Sequence, residues 1–506
     1  MPDRASTLPI GRIAVVDVGS NSLRLVVFER LGTALVPLLN EKVMCGLGRG
    51  IDRTGRLNRE GVELALPNVQ RFVAVARALA VDHLAIIATA AVRDAADGPQ
   101  FAAEIERRYG VLVRVVDGAE EARLAAAGVL AGIPDAQGIV GDLGGGSIEL
   151  VQVDGAASRA AIGTGLSLPL GPLRLVEHGD NRKAIAEGID RVLADAPVLR
   201  AAAGKTLYLV GGAWRAIARL HMEQTHYPLH VVHQYTIARS QADNFLDVVA
   251  RLSRRSLEQI ATINRKRLEV VPLAATILRR LVMAARPERI TFSAFGLREG
   301  YAHALLPAEP RVDPLIAACM GTAAVQSRTP GDGDRLQLWT APIFPNLPAA
   351  ARRLHRAVCW LSDIAWSEHP DYRAEHAFLR SLRMPVGAVE HAERAFIAAA
   401  LHTRYGGAPD DPVRAPTAPL LDDNAAGEAR VLGLALRLAY TLCGGALDLL
   451  KGVRLVRETD ALILELPASG GVLIGETVQR RLDSLGRTLG VAARKVRFRS
   501  ESPVQA

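Results

Sequence analysis

The sequence predicts a mixed α/β protein made of two similar lobes, then a mostly helical segment, then a small α/β module. Three observations carry that prediction. Apolar strand-like runs alternate with helix-periodic stretches up to the prolines Pro307, Pro310 and Pro314. Within that part, an apolar strand, an aspartate, a glycine turn and a second apolar strand occur twice. Beyond the prolines the strand alternation stops, and Ala, Leu and Arg recur at helical spacing. The chain has 506 residues, too many for one core when a domain holds ~100–200. The expected domains are 10–124, 125–306, 312–452 and 453–506.

The first ordered signal is a hairpin. The apolar runs Ile13–Val16 and Leu23–Phe28 flank Asp17-Val18-Gly19-Ser20-Asn21-Ser22, and small polar turn residues between β-rich runs read as a chain reversal. Leu84–Ala88 and Leu112–Val116 are further strands. Arg59–Ala80, Gly98–Tyr109 and Glu120–Ala131 are helices. The second hairpin spans Gly138–Val153. Laying Asp142 over Asp17 sets Gly144 on Gly19, and Leu150 and Val151 on Leu25 and Val26. This weak internal repeat implies two similar lobes facing each other. Leu207–Val210, Gly211-Gly212 and a helix from Ala213 continue the second lobe, which closes with Ile290–Ser293 and a helix over Leu297–Leu306. Residues 315–452 read as helical, interrupted by a Pro/Asp/Gly-rich loop at Gly406–Asp423. In the tail, Val453–Leu466 reads as a hairpin, Thr477–Leu489 as a helix and Lys495–Arg499 as a strand.

Hydrophobic residues make up 49% and charged residues 23%, which excludes a disordered chain. Gly 45 and Pro 27 follow no period, so collagen-like and mucin-like sequence is excluded as well. Aromatics are 4%, leaving Ala, Leu and Val to fill the core. The net charge of +8 fits an anionic partner, with nucleic acid, polyphosphate, nucleotides and anionic lipid all open at this point. Cys45, Cys319, Cys359 and Cys443 form no CxxC, which reads as reduced thiols in a cytoplasmic protein. Asp3 and Arg4 precede no apolar stretch, so no secretory signal is expected. Arg437 and Asp448 break the apolar run Val431–Leu450, so no membrane span is expected.

Several residues are placed to carry chemistry. In Gly19-Ser20-Asn21-Ser22 no bulky side chain blocks a ligand, so the turn is either a phosphate cradle or a plain hairpin turn. Gly144-Gly145-Gly146-Ser147 repeats the idea, and three glycines lose much backbone entropy on folding, which a close-approaching ligand explains. Asp17, Asp142 and Glu149 stand beside these turns; hard carboxylate oxygens next to phosphates suit Mg²⁺, although one Asp alone is an ordinary turn cap. Arg93 can hold a phosphate with its guanidinium fork, or pair with Asp94 or Asp97. Asp117 caps a helix whose first turn carries Glu120 and Glu121. Capping accounts for one of these glutamates, and spacing does not choose which one remains for catalysis. Gly211-Gly212 before a helix suits a phosphate, ribose or base, or simple punctuation. Arg265-Lys266-Arg267, Arg254-Arg255 and Arg279-Arg280 are either solvated faces or guides for an anionic chain. They lack interleaved aromatics, which speaks against nucleic acid.

Taken together these residues resemble the exopolyphosphatase/guanosine pentaphosphate phosphohydrolase family, within the sugar kinase, heat-shock chaperone and actin superfamily. The matching stretches are Asp17–Ser22, Ala88–Ala95, Asp117–Leu124, Asp142–Leu150, Val210–Leu220 and Phe295–Gly300, in the family's order. The resemblance implies two ribonuclease H-like lobes around a cleft, and exopolyphosphatase activity on linear polyphosphate. It implies Glu121 as the base that activates water. Asp17, Asp142 and Glu149 would be the Mg²⁺-associated acids. Asn21, Arg93, Gly145, Gly146 and Ser147 would contact phosphate; Ser20, Ser22 and Gly144, read from the turns themselves, and Arg267, read from the basic run, are candidates for the same contact. The runner-up substrate is guanosine pentaphosphate; a small-molecule kinase and a non-enzymatic polyphosphate sensor rank lower. Residues after about 312 resemble HD phosphohydrolase domains, but Ser362-Asp363 stands where a His-Asp pair belongs. His355, His369, His376 and His402 form no convincing ligand set, so no second metal site is expected. A homodimer without membrane or nucleic-acid partners completes the expectation.

Overall fold

The structure, a computed structural model, describes residues 11–31, 34–156, 160–176, 181–258, 270–306, 313–328 and 332–499. Arg267, with Arg265 and Lys266, lies outside the described residues. The chain divides into two compact units, Met1–Pro314 and Leu315–Ala506.

The first unit contains two sheets. Strands β1 (Arg12–Val18) and β2 (Ser22–Leu31) form the first hairpin, with Asp17 opposite Arg24. β3 (Ala34–Met44), β4 (His83–Ala88) and β5 (Val113–Val115) complete the order β3-β2-β1-β4-β5, with β1, β4 and β5 parallel. The second sheet holds β6 (Gln137–Leu143), β7 (Ile148–Asp154), β8 (Ala161–Ile162), β9 (Leu166–Leu168), β10 (Thr206–Val210), β11 (Tyr235–Ala238) and β12 (Arg289–Phe292). Its order is β11-β12-β10-β6-β7-β8, and β9 also pairs with β7. The run β2-β1-β4-β5 therefore has the same order and directions as β7-β6-β10-β12. The repeat seen in sequence is a repeat of topology.

Strand β3 was not expected. Its sequence lacks clean alternation, carries Pro37, and is half exposed at the sheet edge. Proline has no N–H for a ladder, and edges and bulges tolerate it. Here Pro37 faces Phe28 at a register shift between Val27 and Phe28.

Two helices join the lobes. Gly118–Gly132 and Leu297–Ala304 pack on each other. Leu124, Leu297 and Ala302 share a core with Ile13, Val15, Phe28 and Ile87 of the first sheet. Ala122, Ala126 and Val129 pack with Val140, Val151 and Tyr208 of the second. The crossing leaves no room for side chains: a Cβ on Gly300 would lie 1.9 Å from the Leu124 carbonyl oxygen, and one on Gly128 2.0 Å from that of Gly296.

The second unit is helical from Pro314–Gln326 to Asp423–Cys443, followed by β13 (Arg454–Arg457), β14 (Ala461–Pro467) and β15 (Ala493–Arg499) in one sheet. The helix His391–Arg404 is buried along nearly its whole length. The stretch expected to be a loop, 406–423, contains a 3₁₀ segment at Pro412–Leu420. Asp363 is buried, and its carboxylate accepts from the backbone N–H of Arg328 at 3.1 Å and from that guanidinium at 2.6 Å. The four histidines face four different carboxylates: His355 with Glu428, His369 with Asp371, His376 with Glu368, and His402 with Asp411. All four cysteines are buried and none is in a disulfide. Among the described residues no helix is long and apolar enough to cross a membrane.

Candidate active site

Each hairpin presents its turn at the same place, and the two turns meet. In the first, the Gly19 N–H donates to the Ser22 carbonyl at 3.1 Å; in the second, the Gly144 N–H donates to the Ser147 carbonyl at 3.0 Å. A Cβ on Gly145 would lie 3.2 Å from Ser20 Cβ and 3.3 Å from Asn21 Cβ. The first turn is fixed from behind. The Ser20 carbonyl accepts from Gly48 N–H at 2.8 Å, and the Asn21 carbonyl accepts from Gly46 N–H at 3.1 Å.

These turns floor an open cleft. Asp17, Ser20, Asn21, Ser22, Glu121, Asp142, Gly144, Gly145, Gly146 and Ser147 all line it. So do four cations that sequence reasoning did not assign to the site: Arg24, Lys42, Arg215 and Arg298. The repeat held a signal for one of them. Laying the hairpins over each other puts Arg24 where the second lobe has Glu149, and both sit opposite the hairpin aspartate.

The structure separates the two neighbouring glutamates. Asp117 caps the helix by accepting from the Glu120 N–H at 2.7 Å. Glu120 turns away and pairs with Arg114 and Arg123. Glu121 is 7% exposed and reaches the cleft. Its Oε2 accepts from Arg93 Nη1 at 3.0 Å. Burial, then the nearby Glu149 charge, hold its pKa well above the usual carboxylate range, against the pull of Arg93.

Arg93 is not among the cleft-lining residues. It stands behind Glu121, donating also to the Val116 carbonyl at 3.2 Å and to Asp94 at 3.2 Å. The pairing with Asp94 weighed in the sequence is present alongside the contact with Glu121.

Asp142 and Glu149 face each other across the second hairpin; Asp142 lines the cleft, whereas the buried Glu149 is not among its lining residues. Burial raises Asp142 to about 6, partly offset by Arg215 and Arg298. Burial raises Glu149 to about 7, offset by a hydrogen bond with Ser147. Glu149 Oε1 accepts from Ser167 Oγ at 2.9 Å, while its buried Oε2 has no hydrogen-bond partner. An orphaned buried carboxylate oxygen is a costly feature, and it fits a hard divalent cation. Among the described residues no group of three or more His, Cys, Asp or Glu side chains is arranged as a metal cage. Mg²⁺ needs no such cage, since it keeps waters and takes one or two carboxylates with substrate phosphates. Asp17 differs from the other two acids because its Oδ2 accepts from Arg298 Nη1, a nearly buried ion pair. Arg24, burdened by burial and by Arg298 and Arg215, has its pKa lowered to about 9.

Comparison with known proteins agrees with this architecture. Residues 315–498 match the family model described as exopolyphosphatase, C-terminal. Exopolyphosphatase 2 of Mycobacterium tuberculosis is 26% identical over 324 residues, which cover 59% of this chain and 99% of that protein. An exopolyphosphatase structure from Cytophaga hutchinsonii superposes with a TM-score of 0.53 at 23% identity, covering 58% of this chain and 97% of the other. An Aquifex aeolicus Ppx/GppA family member gives 0.50 at 23% identity, with the same coverage of 58% and 97%. These two structures share the fold. Residues 25–309, more than half of the chain, match the Ppx/GppA phosphatase family, and the protein belongs to that family of hydrolases.

Proposed function

We propose that the protein is an exopolyphosphatase that releases orthophosphate from the end of linear polyphosphate, with Glu121 as the base that activates water. One observation carries this reading: two backbone turns from two lobes touch at the floor of one cationic cleft that Glu121 also lines. Backbone N–H groups in such turns hydrogen-bond phosphate oxygens without competing bulk. Arg24, Lys42, Arg215 and Arg298 offset the charge of a chain with several phosphates. Arg93 fixes Glu121 Oε2, so Oε1 is the oxygen that takes the proton of the attacking water. The phosphoryl group then passes to that water and the shortened chain departs.

Asp142 and Glu149 are the residues that would hold a hard divalent cation, Mg²⁺ first, with Asp17 across the cleft. When bound, such an ion neutralises charge on the transferred phosphoryl group. Arg267 stays a proposed chain contact.

The test is orthophosphate release with Mg²⁺ from long-chain polyphosphate and from guanosine pentaphosphate in parallel, for the wild type and Glu121→Gln. Polyphosphate is expected to give the higher kcat/KM, and the variant to bind but not turn over. Wild-type turnover by Glu121→Gln would overturn the base assignment. A higher kcat/KM on guanosine pentaphosphate would replace the substrate.

A further inference from the structure

Arg174 belongs to the second lobe, in the short helix Pro172–Val176 after β9. The helix is stitched to the glycine turn: Leu173 N–H donates to the Gly145 carbonyl at 3.0 Å. The Arg174 side chain is 18% exposed, and all three guanidinium nitrogens are used. Nε donates to the Gly146 carbonyl at 2.7 Å. Nη2 donates to Asp94 Oδ2 at 2.6 Å, and Nη1 donates to Asp52 Oδ1. Both acids belong to the first lobe, so one guanidinium spans the two lobes at the phosphate turn. From Asp94 the chain of contacts runs on: Asp94 Oδ1 accepts from Arg93 Nε at 3.2 Å, and Arg93 Nη1 donates to Glu121 Oε2 at 3.0 Å.

We propose that Arg174 is a positioning residue that couples the second phosphate turn to the general base, through the path Gly146 carbonyl, Arg174, Asp94, Arg93, Glu121. The inference rests on Glu121 being that base. Arg93 shares its donors between Asp94 and Glu121. With Arg174 in place, Asp94 is already neutralised and its second oxygen occupied, so Arg93 is held in the orientation that reaches Glu121. Without Arg174, the Asp94 charge is uncompensated and draws Arg93 toward itself and away from Glu121. The turn also loses its tie to the first lobe, so phosphate and base are no longer registered to one another. A planar fork is required for three acceptors at once, and lysine offers a single point charge.

The experiment measures kcat and KM on polyphosphate with Mg²⁺ for Arg174→Ala, Arg174→Lys, Asp94→Asn and the double variant Arg174→Ala/Asp94→Asn, with thermal unfolding to establish folding. Misplacing reacting groups by about 1 Å lowers rates on the order of 100-fold. Arg174→Ala is therefore expected to lose on the order of 10- to 100-fold in kcat, more than KM rises. Arg174→Lys should recover part of that loss. The double variant should be more active than the product of the two single losses predicts, because the neutral amide replacing the Asp94 carboxylate no longer competes for Arg93. Multiplicative losses, or a wild-type kcat in folded Arg174→Ala, would overturn the relay. If Arg174→Ala does not fold, Arg174→Lys decides, since a point charge cannot serve all three acceptors and wild-type kcat there also overturns the relay. Glu121→Gln run beside these variants separates the failures. An active Glu121→Gln removes the base assignment itself. An inactive one beside an unaffected Arg174→Ala removes only the relay.

Discussion

Half-buried Asp142 and buried Glu149 lie directly opposite each other on neighbouring antiparallel strands, two acids on one face of a hairpin. Their pKa values are raised to about 6 and about 7, whereas unfolded carboxyls titrate near ~4. The folded protein thus holds more protons than the unfolded chain between those limits. The pair contributes stability that is present at low pH and lost as pH rises through about 6 and about 7. A divalent cation held by this pair, as proposed, would offset that loss. Mg²⁺ is expected to raise the melting temperature more at pH 8 than at pH 5, with the rise abolished in Asp142→Asn and Glu149→Gln. Calorimetry without substrate checks this, and an unchanged rise in both variants would remove them as ligands.

As the proposed base, Glu121 would have to be ionised to accept a proton, and its pKa is held well above the usual carboxylate range by burial and by Glu149. The rate is expected to fall with decreasing pH at a point above the ordinary glutamate range of ~4–5. A kcat profile against pH gives the position of that acid limb. A limb at an ordinary glutamate value would assign it to another group.

The same substitution is expected to act in opposite directions at two glycines, one at the helix crossing and one away from it. Gly300→Ala drives a methyl into the Leu124 carbonyl and is expected to destabilise by about 1–3 kcal/mol. Gly188 sits inside the helix Arg182–Ala194 with nothing within 4 Å of its would-be Cβ. Gly188→Ala is expected to stabilise by about 0.5–1 kcal/mol through the unfolded state. Urea melts of the two variants provide the comparison.

In the second unit, Asp363 is tied to Arg328 through backbone and side chain, and Arg404 lies 3.8 Å over the Tyr440 ring beside it. Asp363→Ala removes the carboxylate shared by the exposed Arg328 and the buried Arg404 and is expected to cost about 1–3 kcal/mol. Limited proteolysis should then cut within 315–499 first. Protection equal to wild type would show that the pair contributes little.

Much of this site was legible in the chain because it is made of contiguous turns. Gly144-Gly145-Gly146-Ser147 and Gly19-Ser20-Asn21-Ser22 announce themselves locally, and the spacing of their hairpins gave the repeat before any coordinates. Glu121 was distinguishable from Glu120 only by resemblance. The physical distinction, one glutamate buried and the other paired with Arg114 at the surface, needs the helix to be docked. Arg298 and Arg215 come from distant segments, and nothing at their own positions says that they point into the cleft. Strand β3 was missed because nearly all of its residues are half-buried or exposed and it carries Pro37, so no apolar alternation marks it. Arg93 was read as a phosphate contact, and its place behind Glu121 depends on the register of two separate segments.

At Gly128 and Gly300, main chain rests on main chain. With no side chain between them, the two helices cross at nearly the closest spacing their backbones allow, and any residue larger than glycine at either position would wedge them apart.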